Sequence, residues 1–314
     1  MHVYDTTPGQ KLATRNSKLM PSNNIPRPRV ACEISAERVV AGRAGEGAQA
    51  LEAVSAQSIP DGALIPGLQQ ANVTAREALV SALRDALSAV AGRSHDVCLV
   101  IPDATTRIML LDFDTLPAKP EEADAVVRFR LKKSLPFEVE QAAVSFDRQG
   151  TSDPIRLVAA VTPRNILEEY ESLVREAGYN PGAVLPSMIA ALGMVDGSRP
   201  TMVIKVERGT TTFAIVDNDQ LLLHRALENG GSAVSGESLV DDVNTSLVYF
   251  EDRYNVGVDR VLVTGVESAQ ALQEALSASA NIRVEELVSS SRAGAATGNV
   301  SRSVLAGVVG ALVS

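Results

Sequence analysis

One short pattern occurs twice in this chain, and it constrains the fold more than any other feature. Val30 to Val40 reads VACEISAERVV, and Val203 to Ile215 reads VIKVERGTTTFAI. Each copy places an acidic or polar turn between runs rich in β-branched residues, and Val203 lies 173 positions after Val30. Such runs, bounded by turn residues, read as strands, so each copy is a strand, a tight turn and a strand. A duplication on this scale predicts two similar lobes facing each other across a cleft. Length agrees, because 314 residues exceed the roughly 100–200 of one ordinary domain.

Between the copies the periodicity alternates between that of strands and that of helices. From Val73 to Val90 the apolar residues recur with a 3.6-residue period, which predicts an amphipathic helix, and Thr74 with Glu77 resembles a capping box. Val97 to Ile101 is a continuous apolar run closed by Pro102, as in a strand covered on both faces. Residues 97–178 then read strand, strand, helix, strand, strand, helix. Pro120, Glu121 and Glu122 open the first of these helices, Pro136 stops it, and Pro163 and Gly178 bracket the second. This stretch is expected to be an α+β subdomain inserted into lobe one, which takes residues 30–96 and 179–197. Lobe two takes 198–314, with a meander at 202–227, a helix at 237–254 whose burying positions include Val248 and Phe250, and a closing helix at 303–312. Residues 1–29 hold four prolines and little aliphatic periodicity, and read as a disordered tail. The fold class is α/β.

Charge and rare residues remove several functions. A net charge of -9 repels nucleic acid, and because residues 1–29 carry +4, the remainder stands near -13. The only cysteines, Cys32 and Cys98, sit in apolar runs, which fits a reducing cytosol and rules out a disulfide scaffold. His2, His95 and His224 are too scattered for a metal cluster or a histidine-based triad. The longest uncharged apolar runs are twelve residues, Val184 to Val195 and Ser303 to Ser314, against the about 20 that a membrane span needs. Gly230 and Gly231 lack the strand-to-helix context of a phosphate loop and read as a turn. Arg128, Arg130, Lys132 and Lys133 form a basic helix face, taken as solvated in preference to a partner or lipid contact.

The ordered set of segments resembles the PilM family of type IV pilus assembly proteins, within the actin-like ATPase superfamily and related to FtsA and the cytoplasmic domain of GspL. The resemblance rests on VCLVIPDATTRIMLLDFDTLPAKPEEADAVVRFRLKKSLPFEVEQAAVSFDRQ at 97–149, above all Pro102, the Leu116–Pro117 pair, the acidic helix start and LPFEVE at 135–140. It extends to IPDGALIPGLQQANVTAREALVSAL at 59–83, LLLHRALENGG at 221–231, ESLVDDVNTSLVYFEDRY at 237–254 and VDRVLVTGVESAQALQEAL at 258–276. It implies an actin-like, ribonuclease H-like two-lobed fold. It also implies a cytoplasmic scaffold, peripheral at the inner membrane through the tail of a PilN-type protein docked between lobe one and the inserted subdomain. Other pilus assembly proteins, or a second copy of the chain, are further partners that it implies.

In that superfamily the two hairpin turns hold the phosphates of ATP through backbone amides, with an Asp orienting Mg²⁺. Here the family's Asp-Ile-Gly-Ser-Ser is matched by Glu33, Ile34, Ser35, Ala36 and Glu37. The second loop reads Lys205, Val206, Glu207, Arg208, Gly209, Thr210 and Thr211, and the Gly-Gly at the adenosine contact reads Gly265, Val266 and Glu267. The nucleotide positions are therefore Glu33, Ser35, Lys205, Glu207, Gly209, Thr210, Thr211 and Gly265. With Ser35 and Glu207 where glycines belong and Lys205 where a metal-holding acid belongs, no cofactor is expected and no catalytic residue is assigned. Lys205, Arg208 or Arg38 facing a phosphate from a new direction keeps an ATP- and Mg-binding ATPase, or an FtsA-like filament protein, as the alternative.

Overall fold

The computed structural model describes residues 28–151, 153–229, 236–266, 268–277 and 282–312. The first hairpin is β1 (Val30–Ile34) and β2 (Arg38–Ala44), followed by β3 (Leu51–Ser58), α1 (Arg76–Val90) and β4 (Asp96–Ile101). Next come β5 (Arg107–Phe113), α2 (Pro120–Leu131), β6 (Ala142–Gln149), β7 (Ile155–Pro163), α3 (Arg164–Glu176), β8 (Asn180–Pro186) and α4 (Ser187–Leu192). The second hairpin is β9 (Thr201–Glu207) and β10 (Thr210–Asp217), extended by β11 (Gln220–Glu228). After it run α5 (Gly236–Tyr254), β12 (Arg260–Thr264), α6 (Ala269–Ser277), β13 (Arg283–Glu286), the single turn α7 (Ser290–Ala293) and α8 (Ala306–Leu312).

Two five-stranded sheets share one plan, with strand orders β3-β2-β1-β4-β8 and β11-β10-β9-β12-β13. In each, an antiparallel three-strand meander is continued by two parallel strands beyond its first member. The parallel strands need helical crossovers, and these cover the outer faces: α1 and α3 pack on the first sheet, α5 and α6 on the second. Between the inner faces lie α4 and α8, whose small side chains pack against Ala31, Val40 and Cys98 on one side and Val203, Ala214 and Leu262 on the other. A third sheet, β5-β7-β6, carries α2 through Val127 and Leu131 and forms the insert.

The sheets redraw the expected boundaries. Val97–Ile101 pairs with β1 and β8 inside the first sheet, and α3 buries Tyr170 and Leu173 beside Leu83, so both belong to lobe one and the insert shrinks to 102–163. The closing helix, expected in lobe two, covers lobe one with Val308 and Val309. Strands β3 and β8 were absent from the sequence reading. Residues 28 and 29, assigned to the tail, are structured, since Arg29 donates to the Ala44 carbonyl at 2.8 Å and accepts from its amide at 2.8 Å. The rest of that tail and the Gly230–Gly231 turn lie outside the described residues. Thr74 does not cap α1; its hydroxyl donates to the Gly62 carbonyl, and Ala75 stands at the cap position. Val248, expected to be buried, is 58% exposed. No helix among the described residues is long and apolar enough to cross a membrane.

The two central helices touch backbone to backbone, which only glycine permits. A Cβ at Gly310 would lie 2.1 Å from the Ala190 carbonyl oxygen, and one at Gly193 would lie 2.7 Å from that of Gly310. Neither neighbour is a flexible side-chain end, so α4 and α8 would have to separate. Gly310→Val is expected to cost about 3 kcal/mol or more, measured as a lowered urea midpoint, whereas the same change at open Gly257 leaves the midpoint nearly unmoved.

A candidate functional site at the base of the interlobe cleft

The duplicated sheets bring two equivalent positions face to face. Glu33 is the last residue of β1 paired with β4, opposite Val100, and Lys205 is the last of β9 paired with β12, opposite Thr264. Glu33 stands one residue and Lys205 two residues before the end of its hairpin's first strand. Across the cleft the Lys205 ammonium lies 3.4 Å from Glu33 Oε1, and on its own strand it lies 2.5 Å from Glu207 Oε1. Glu33 and Lys205 are each only 5% exposed, so this pair is almost wholly buried at the cleft base.

Neighbouring elements complete the cluster. The Ser187 hydroxyl, at the start of α4, donates to Glu33 Oε1. The other oxygen of Glu33 rests on α8 at Gly307, where a Cβ would come within 2.5 Å of it. Asp103, in the turn after β4, accepts from the Met188 amide at 2.8 Å. Its second oxygen is buried beside the Thr212 hydroxyl, the side chain that can donate to it. Burial, and then the charge of Glu207, push the Asp103 carboxyl up to about 7 against the pull of Lys205. For Lys205 burial alone would lower the pKa, but Glu207, Glu33 and Asp103 outweigh it and hold the ammonium above its ordinary value.

Five of the eight sequence-predicted positions, Glu33, Ser35, Lys205, Glu207 and Gly265, line a cleft of about 1070 Å³. Gly209, Thr210 and Thr211 are not among its lining residues; Gly209 makes the β9–β10 turn with φ +87°, and the Thr211 hydroxyl accepts from Asn229 at 2.9 Å. Ser35 spends its groups on its own turn: its amide and hydroxyl both donate to the Arg38 carbonyl, at 2.9 and 3.0 Å. Gly265 has φ +78° and lies flat on β9, where a Cβ would fall 1.8 Å from the Val206 carbonyl oxygen. Glu267 lies outside the described residues. At the mouth Arg208 reaches lobe one and pairs with Asp61 at 2.6 Å, an exposed contact. Arg38 pairs with Glu37 at 3.4 Å.

Asp103, Ser187, Thr212 and Gly307 were missed in the sequence. A signal was present for two of them, since β4 and β8 both end as an apolar run, a proline and a polar residue, in VIPD and VLPS. The assembled groups suit clamping better than chemistry. Two carboxylates share one ammonium, and a phosphate at the cleft base would add a like charge, at about 4 kcal/mol for a 4 Å contact at an effective dielectric of 20. Among the described residues no group of His, Cys, Asp and Glu is arranged to hold a metal ion.

No protein-family model and no curated protein sequence matches the chain. Solved structures do. A chain of a PilM–PilN type IV pilus biogenesis complex superposes with a TM-score of 0.74 at 16% identity, covering 91% of this chain and 98% of that one. The chain has an actin-like fold. A Bacteroides thetaiotaomicron protein with actin-like ATPase fold matches at a TM-score of 0.50 and 11% identity, covering 79% of this chain and 86% of its own. The ethanolamine utilization protein EutJ from Carboxydothermus hydrogenoformans matches at 0.50 and 11%, covering 93% and 92%. Within this actin-like frame, Glu33 and Lys205 sit at the hairpins that face each other across the cleft.

Removing the shared cation leaves two enclosed carboxylates without compensation. Lys205→Met is expected to cost about 3–5 kcal/mol, read from chemical denaturation as a lower midpoint with an unchanged slope.

Proposed function

We propose that the chain is a cytoplasmic scaffold of a type IV pilus machine, held at the inner membrane by the tail of a PilN-type membrane protein and working without nucleotide turnover. The observation that carries this reading is the likeness to a chain of the PilM–PilN complex over 91% of this chain and 98% of that one. A tail of that kind docks as extended backbone whose alternate side chains fill pockets, at the junction of lobe one with the insert. The cluster at the cleft base supports the second half of the reading. The hairpin positions hold a neutralising lysine and Glu207, and Lys205 bridges the two lobes through Glu33.

Two measurements test it. Titrating the purified chain with a peptide of a PilN-type cytoplasmic tail is expected to give saturable heat with one site; absence of heat overturns the partner assignment. A thermal-unfolding scan is expected to show no shift with Mg-ATP. A bound ligand at 100 times its dissociation constant adds about 2.7 kcal/mol, so a rise of several degrees restores the ATPase alternative, for which the open volume above the cluster leaves room.

A further inference from the structure

Helix α2 has two faces of opposite kind, and the fold uses only one of them. Ala123, Val127 and Leu131 recur every four residues and are buried, the last two in the core of the insert. Phe129 stands on the opposite side of the helix and is 74% exposed. One exposed hydrophobic residue is ordinary by itself. Its surroundings here are not. Ala125 and Val126 lie one turn before Phe129, and Lys132 and Lys133 one turn after, so the ring sits between an apolar step and a pair of ammonium groups. No Asp or Glu occurs from Ala125 to Phe137, whereas Arg128, Arg130, Lys132 and Lys133 all do. Arg128 is committed to the fold, through Asp124 at 2.7 Å and the Val139 carbonyl at 3.0 Å, and Lys132 pairs with Glu140 at 3.0 Å on the surface. The side chains of Arg130 and Lys133 are exposed and have no ion pair or hydrogen bond among the described residues.

We propose that this end of α2 is a peripheral lipid-contact site: Phe129 enters the interfacial layer of a bilayer while Arg130, Lys132 and Lys133 meet anionic headgroups. The pattern matches that boundary, where an apolar layer lies directly beneath a negatively charged one. A stable protein partner would instead cover about 800 Å² per side and fill pockets, whereas here a single ring stands out from a helix with cations beside it. Charge also sets the orientation. The chain as a whole carries -9 and is repelled by an anionic leaflet, so the surface that approaches must be one with unpaired cations. An anchor of this size gives weak, reversible adhesion. That suffices for a chain tethered by another contact, because the tether raises the local concentration and the helix then fixes which side faces the lipid. The site goes beyond the scaffold reading, in which the tail of a partner alone meets the membrane, and it is tested without that partner.

The chain contains no tryptophan, so Phe129→Trp in the full chain places a single fluorescent reporter in the site. Tyr249→Trp, also exposed but on α5 of lobe two, is the control. Vesicles of phosphatidylglycerol and phosphatidylethanolamine, at low salt where charges are least screened, are expected to shift the Phe129→Trp emission to the blue and to leave Tyr249→Trp unmoved. Pure phosphatidylcholine vesicles shift neither. Adding Arg130→Gln and Lys133→Gln to the reporter is expected to weaken partitioning onto the anionic vesicles about thirtyfold, from about fivefold for each cation. All four positions are exposed, so the variants are expected to fold. The basic residues 1–29 attract anionic lipid as well, which the reporter separates. Absence of a blue shift, whether or not the chain sediments with the vesicles, overturns the proposal, and so does a partition that the two glutamines leave unchanged. A shift given by an oligo-glutamate peptide but not by vesicles assigns the face to an acidic protein segment and overturns it too. No PilN-type peptide enters the experiment, so a negative result leaves the scaffold reading intact.

Discussion

Burying an ammonium between two sheets is the constraint around which the rest of this structure is arranged. An isolated charge in such a place costs several kcal/mol even after relaxation, and the attraction to a partner offsets this only where geometry and hydrogen bonds are complete. The fold supplies them from four separate elements. Glu33 and Glu207 flank Lys205, Ser187 donates to Glu33, and Gly307 of α8 clears the volume that the Glu33 carboxylate fills. A side chain at 307 would displace that carboxylate and unpair the lysine. Gly307 and Gly310, one turn of α8, therefore serve two ends at once: the first makes room for charge, and the second lets α4 approach closely enough to deliver Ser187.

That dependence ties the lobes into one body. The interlobe space contains α4 and α8 with their small side chains, and both helices contribute to the core shared by the two inner sheet faces. Polar contacts reinforce it at the edges: Gln149 of the insert exchanges two hydrogen bonds with the Leu221 backbone, at 2.9 and 2.6 Å, and Arg208 spans the mouth to Asp61. Exposed pairs such as the latter contribute little by themselves, typically about 0–1 kcal/mol. The shared apolar core and the buried Glu33–Lys205 pair join the lobes far more than these rim contacts do.

How much of this was legible in the sequence depended on whether a residue's partner lay nearby along the chain. The hairpins, α1, α3, the β9–β11 meander and α5 declared themselves through period and punctuation, which are local properties. Strand β3, LEAVSAQS, did not, because it is an edge strand with mostly half-buried residues and no clean alternation. Strand β8, NPGAVLP, hid behind a proline and a glycine in a position covered on both faces. The closing helix was found but placed in the wrong lobe, since small apolar residues say that a helix is buried without saying against what. The site followed the same rule. Glu33, Lys205 and Glu207 were legible from the hairpins and Gly265 from the strand end after them, whereas Asp103 and Ser187 enter only because β4 pairs with β1 and β8 with β4. Their roles are set by strand order, which no local pattern encodes.

The opposite charges of Glu33 and Lys205 follow from the duplication itself. When two copies of one sheet face each other, their equivalent positions meet, and identical acids at those positions repel unless a cation sits between them. The nucleotide-binding pattern that this chain resembles has an acid at both hairpins, an arrangement that a divalent ion and its ligand complete. Replacing one acid by lysine supplies the cation covalently. The ammonium then stands between the carboxylates of Glu33 and Glu207. A tethered ammonium differs from a bound ion in one respect: it cannot leave, so the charge balance between Glu33 and Glu207 is built into the covalent chain.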